Sequence, residues 1–134
     1  MLFRSYGASG DWLIMNGGSV TMTYSQIGAQ AGTMDSTHCN IHTGGNANTI
    51  NITKSNIVGV PYGLMFYGGT MANFKDNNWM AGGGTNINVD TQPGVSGDFT
   101  GSYFDAIFTP GVGATITQST PPIAAPLTDA GVRP

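Results

Sequence analysis

Ile50-Asn51-Ile52-Thr53-Lys54-Ser55-Asn56-Ile57 is the stretch on which the reading of the whole chain turns. Thirty residues earlier stands Val20-Thr21-Met22-Thr23-Tyr24-Ser25-Gln26-Ile27, and twenty-two residues later Ala72-Asn73-Phe74-Lys75-Asp76-Asn77-Asn78-Trp79. Gly97-Asp98-Phe99-Thr100-Gly101-Ser102-Tyr103-Phe104 is a weaker fourth copy. The shared order is apolar, polar, apolar, two polar, Ser or Asn, any residue, large apolar. Alternation of period two is the mark of a strand with one buried face. Recurrence at such steps is the mark of a repeat architecture.

A second alternation precedes each copy: Leu13-Ile14-Met15, Cys39-Asn40-Ile41, Leu64-Met65-Phe66 and Ile87-Asn88-Val89, at steps of 26, 25 and 23 residues. Between the two patterns lies a corner rich in Gly or Asn: Gly17-Gly18, Gly44-Gly45-Asn46, Gly68-Gly69 and Pro93-Gly94. Each unit thus holds two strands, a corner and a third short strand. It cannot bury its own apolar face, whereas stacked copies can. Stacking predicts inward columns of Leu13, Cys39, Leu64 and Ile87; of Met15, Ile41, Phe66 and Val89; of Val20, Ile50, Ala72 and Gly97; of Met22, Ile52, Phe74 and Phe99; and of Ile27, Ile57, Trp79 and Phe104. Met15 and Met22 are expected in the core, Met65 and Met80 at the surface. Ser25, Ser55, Asn77 and Ser102 fall in register, as for a ladder of polar side chains at a bend.

Over residues 12–108 the chain resembles the right-handed parallel β-helix (pectate-lyase-like) superfamily, in coil length, three short strands per coil, Gly corners and recurring Ser/Asn positions. The resemblance implies an all-β fold: a short solenoid of about four coils. Residues 1–11 read as a cap or incomplete coil, 12–118 as the β-helix domain and 119–134 as a Pro/Ala-rich tail or linker. Open coil ends expose strand edges, which invite self-association.

Composition narrows the function. Of 134 residues only 8% are charged, and the net charge is −3 with no Lys/Arg cluster, which argues against a nucleic-acid partner. No apolar run approaches the ~18 residues of a membrane helix, so no membrane insertion is expected. Low charge with abundant Asn, Thr, Ser and Gly favours a secreted or cell-surface setting, although no signal peptide opens the sequence, and a piece of a longer protein is expected. The single cysteine, Cys39, makes no internal disulfide and is expected to fill the core.

Outward residues are the candidates for chemistry. Asn16, His42, Tyr67 and Asp90 should stack on one face. Across the corner should lie Thr21, Asn51, Asn73 and Asp98, beside Thr23, Thr53, Lys75 and Thr100. With neighbouring coils ~4.8 Å apart these form a polar strip. The candidate binding residues are His42, Tyr67, Asn73, Lys75, Asp90 and Asp98, suited to a polysaccharide or another protein; a solvated sheet face would be polar in the same way. His38 and His42 lie roughly 13 Å apart along one strand, too far to share a metal. Neither metal nor cofactor is expected. Enzymes of the resembled fold imply a further reading. Its lyases pair acidic Ca²⁺ ligands with a basic Arg or Lys, and its glycosidases cluster carboxylates across the scissile bond. Here the repeats hold Lys54 and Lys75 but no Arg, and Asp90 with Asp98 is the best carboxylate pair; turn chemistry explains the same two residues. Asn51-Ile52-Thr53 fits a glycosylation sequon. The reading favoured is a non-catalytic scaffold and binding module. A carbohydrate-active hydrolase or lyase, or a fragment of one, is the alternative. A purely structural, self-associating module is the third.

Overall fold

The structure, a computed structural model, describes residues 2–3, 12–15, 18–28, 39–45, 49–58, 62–80, 87–106 and 108–133, with the backbone alone for 2–3 and 12–15. Among the described residues there are strands and turns but no helix. The strands are β1 (Leu2–Phe3), β2 (Trp12–Met15), β3 (Val20–Thr23), β4 (Gln26–Gly28), β5 (Cys39–Gly44), β6 (Ile50–Thr53), β7 (Asn56–Val58), β8 (Tyr62–Phe66), β9 (Ala72–Asn73), β10 (Asn78–Met80), β11 (Ile87–Thr91), β12 (Ser96–Asp98), β13 (Tyr103–Phe104) and β14 (Thr115–Thr117). They form three sheets, ordered β1-β4-β7-β10-β13, β11-β8-β5-β2 and β14-β12-β9-β6-β3. Every pairing is parallel. Up to β13 the chain visits the first, second and third sheets in rotation. A parallel partner requires a crossover, and here the other two sheets supply it.

Apolar residues of the alternating segments meet in one core. Ile41, Leu64, Ile52, Ile57, Phe66, Phe74, Trp79 and Phe99 are fully buried. Toward the C-terminal side the core becomes aromatic. Phe74 stacks on Phe99 at 4.7 Å between centroids, and Trp79 lies parallel to Phe104 at 6.0 Å. The Trp79 indole N–H, surrounded by these rings, has no hydrogen-bond acceptor.

The bend between the third and first sheets follows one plan. Tyr24, Lys54, Asp76 and Gly101 adopt positive φ (53°, 48°, 56° and 74°). For residues bearing a Cβ this left-handed conformation costs about 1–2 kcal/mol. Next to each stands a buried ladder residue: Ser25, Ser55, Asn77 and Ser102. The Ser25 amide donates to Ser55 Oγ (3.1 Å), the Ser55 amide to Asn77 Oδ1 (2.9 Å) and the Asn77 amide to Ser102 Oγ (3.1 Å). Asn77 Nδ2 donates to the Ile52 and Phe74 carbonyls (2.7 and 2.8 Å). The strained backbone therefore delivers amides that would be orphaned in the core to side-chain acceptors one strand away. This ladder is the one expected from the sequence.

The second sheet departs from the expected columns. Leu64 is level with Ile41 and Val89, Cys39 and Ile87 with Tyr62, and Phe66 with Thr43 and Thr91. The shift is two residues, so inward residues stay inward while the columns re-form. The corner sets this register. A Cβ on Gly68 would lie 2.4 Å from the Gly45 carbonyl oxygen, and the Gly68 amide donates to Thr43 Oγ1 (3.3 Å), so the glycine corners must stack on each other. Ile87, expected in the core, is 41% exposed at the sheet edge. In β2 the backbone register shifts by three residues: Trp12 is level with Ile41, Leu13 with His42 and Met15 with Gly44, where Leu13 was expected level with Cys39 and Met15 with Ile41. Asn16 and His38 lie outside the described residues. Cys39 is buried, as expected; Met65, expected at the surface, is buried too.

The connections from the first sheet to the second differ in length, residues 4–11, 29–38, 59–61 and 81–86. Those at the ladder bends are short and alike. The C-terminal segment, expected as a tail or linker, runs back along the outside of the first sheet. Ser119 Oγ accepts from the Gly101 amide (2.8 Å), Ile123 bridges Tyr103, Leu127 meets Asn78, and Gly131 bonds the Lys54 carbonyl (2.9 Å).

Candidate functional site

The outward face of the third sheet gathers half of the candidate residues. Thr21, Asn51, Asn73, Asp98 and Thr117 stand level across β3, β6, β9, β12 and β14. Successive side chains in the row are therefore one strand spacing apart, about 4.8 Å. Asn73 Nδ2 donates to Asn51 Oδ1 (2.9 Å), which fixes how both amides face outward. In the next row Thr23 and Thr53 share a hydroxyl hydrogen bond of 3.1 Å. Lys75 Nζ lies 2.9 Å from Asp98 Oδ2. A shallow groove of about 310 Å³ opens here, lined by Met71, Asn73, Lys75, Ser96, Asp98 and Thr117, among others. Met71 is 90% exposed and stands at its rim.

Asp98 is engaged on both oxygens. Oδ1 accepts from the Thr100 amide (2.9 Å) and hydroxyl (2.7 Å), and Oδ2 faces Lys75. Partial desolvation pushes its pKa upward. The Thr100 amide, Lys75 and the Thr100 hydroxyl together outweigh that and hold it below the usual carboxylate value. This carboxylate stays ionised at neutral pH, the opposite of what a general acid requires.

His42, Tyr67 and Asp90 form a separate cluster on the second sheet. The outward column is His42, Met65 and Asp90, with Met65 where Tyr67 was expected. Tyr67, two residues along the chain, still reaches both flanking members. Its hydroxyl donates to Asp90 Oδ2, and its ring meets the His42 ring edge-on at 5.3 Å. Met65 itself, between His42 and Asp90 in the column, is buried. Desolvation, then the hydrogen bond to Asp90, raise the Tyr67 pKa well above the ordinary phenol value, so the hydroxyl remains a donor.

Asp90 and Asp98 are thus on different sheets, each tied to its own partner. Among the described residues no group of three His, Cys, Asp or Glu side chains is placed to hold a metal. Two outward amides outside the candidate set, Asn40 and Asn88, are buried. Asn40 Nδ2 donates to the Val58 carbonyl (3.1 Å) and Asn88 Nδ2 to Asp105 Oδ1 (2.9 Å), so both tie the ends of their strands to neighbouring corners. Their placement opposite inward Cys39, Ile41 and Val89 was the available signal.

No family model, curated protein or solved structure matches this chain.

Proposed function

We propose that the chain is a right-handed parallel β-helix of about four coils, of the pectate-lyase-like kind, and that it serves as a non-catalytic binding scaffold for glycans in a secreted or surface setting. The rotation of strands through three parallel sheets and the Ser/Asn ladder support the architecture. The right-handed sense follows from the strong bias of parallel crossovers. One observation carries the functional reading: an ordered row of hydroxyls and amides, Thr21-Asn51-Asn73-Asp98-Thr117, borders an open groove. An extended sugar chain offers hydroxyls to such a row. Asn73 and Asp98 bond them, and Lys75 adds a cation that suits uronate or sulfated sugars. Tyr67 and His42 present rings on the adjoining sheet face. The partnered, ionised Asp98 weighs against the hydrolase alternative.

The test is a glycan array with the wild-type chain, Asn73→Ala and Lys75→Ala, followed by a reducing-sugar assay on any ligand found. Binding that falls at least tenfold in both variants, without sugar release, is the expected result. A folded wild-type protein that retains no glycan removes the glycan reading. Sugar release that disappears in Asp98→Ala removes the non-catalytic one.

A further inference from the structure

The C-terminal segment engages the first sheet through contacts of a kind that recognise one particular peptide. Asn78 is buried on the outward face of β10, and its amide reads the backbone of Leu127 on both sides. Nδ2 donates to the Leu127 carbonyl (2.9 Å), and the Leu127 amide donates to Oδ1 (2.7 Å). The other Nδ2 proton goes to Asn56 Oδ1 (2.8 Å), which locks the orientation of the amide. Two residues beyond Leu127, Asp129 lies 3.6 Å from Lys54 Nζ. Two further on, the Gly131 amide donates to the Lys54 carbonyl (2.9 Å). Gly131 is buried at φ 99°, and a Cβ there would come within 2.3 Å of Asn56 Nδ2, so only glycine fits. Two further again, the Arg133 guanidinium stacks over the Tyr24 ring, 3.7 Å from its centroid. Contacts thus fall at every second residue, on Leu127, Asp129, Gly131 and Arg133, and use backbone, charge, shape and π-face in turn.

We propose that Asn78, Asn56, Lys54 and Tyr24 form a peptide-binding strip for the pattern Leu-x-Asp-x-Gly-x-Arg, and that its partner in trans is the C-terminal segment of a second copy of this chain. In the isolated molecule the chain's own segment occupies the strip. The exposure of most side chains between residues 119 and 133 means that little apolar burial ties it down. Exchange between copies re-forms the same contacts, so it links two molecules without any new surface. At low concentration the covalently attached segment outcompetes a foreign one, because its effective concentration is high.

The experiment uses the full chain. Asp129→Ala, Gly131→Val and Arg133→Ala are combined to weaken the resident segment while leaving the strip intact. The probe is a fluorescent synthetic peptide with the sequence of residues 119–134, followed by polarisation. The triple variant is expected to bind the probe at least tenfold more tightly than wild type, and Asn78→Ala added to it should reverse the gain. Equal binding by wild type and triple variant, or a gain that survives Asn78→Ala, overturns the proposal. A second measurement needs no tail variant. In the wild-type chain the Leu127 and Gly131 amides should exchange hydrogen slowly, and Asn78→Ala should speed both at least tenfold; free exchange in the wild type also overturns it. Dimers trapped by a cross-linker in growing amount as concentration rises, and suppressed when excess peptide is added beforehand, are the expected sign of a second copy as partner. A chain that binds the probe but stays monomeric at every concentration excludes exchange between copies.

Discussion

At Asp98 three donors converge on one carboxylate, and the consequence is a dependence on pH. Its folded pKa lies below the unfolded value, so the stabilisation is complete above the unfolded pKa of about 3.9 and is lost as pH falls through the folded value. Asp98→Asn should therefore flatten the loss of stability below about pH 4, read as denaturation midpoints across an acid series. Lys75 is half exposed, so the effect should be small and should shrink in salt. Tyr67 shows the opposite displacement. Its phenol should remain protonated well above the ordinary phenol value of about 10, and Asp90→Asn should bring it down toward that value. The measurement is phenolate absorbance against pH, with Tyr67→Phe identifying the late component. Both partnerships depend on side chains brought together across strands. The sequence showed which residues point outward, but not that each carboxylate would find its own partner.

Among the elements, the bend between the third and first sheets repeats most faithfully. Asn77 is its keystone: it accepts from Ser55, donates to two carbonyls and passes its own amide to Ser102. Asn77→Ala should cost about 3 kcal/mol, since each buried group left unpaired costs about 1–3 kcal/mol. Asn77→Ser should recover part of the loss, because Ser55 and Ser102 fill the same position elsewhere. Urea denaturation of the three proteins checks both statements. The glycine corner makes a comparable demand: Gly68→Ala presses a methyl group into the Gly45 backbone and should lose about 1–3 kcal/mol in the same assay. The ladder was legible because Ser or Asn recurred at one fixed position of the repeated pattern, although the copies stand 30, 22 and 25 residues apart. The register of β8 was not. Gly63 interrupts its alternation and Tyr62 reads as either face, so Leu64-Met65-Phe66 was aligned on hydrophobicity, whereas Thr43, Gly44, Gly45 and Gly68 decide the pairing through backbone contact. A slip of two keeps every face and changes every neighbour.

Across the whole molecule, stability should be uneven. The aromatic cluster of Phe74, Trp79, Phe99, Phe104 and Phe108 lies under β9 to β13, while β3 and β4 rest on Met22 and Ile27. In stacked architectures each layer is held mainly by its neighbours, so opening should begin where packing is thinnest. Hydrogen exchange should find amides of β10 and β12 protected roughly tenfold more than those of β3 and β4. The rotation through three sheets was readable from spacing alone, and so was the outward row on the third sheet. The returning C-terminal segment was not, because its Pro- and Ala-rich composition carries no periodicity and its contacts depend on single residues such as Gly131. Finally, the connections between the first and second sheets span 4–11, 29–38, 59–61 and 81–86, and the strands on either side pair in parallel throughout. Unequal lengths at one repeated position identify it as a grafting site. A foreign epitope spliced into residues 81–86 would hang from a scaffold whose pitch is set elsewhere, which makes this corner the place to begin turning the fold into a display platform.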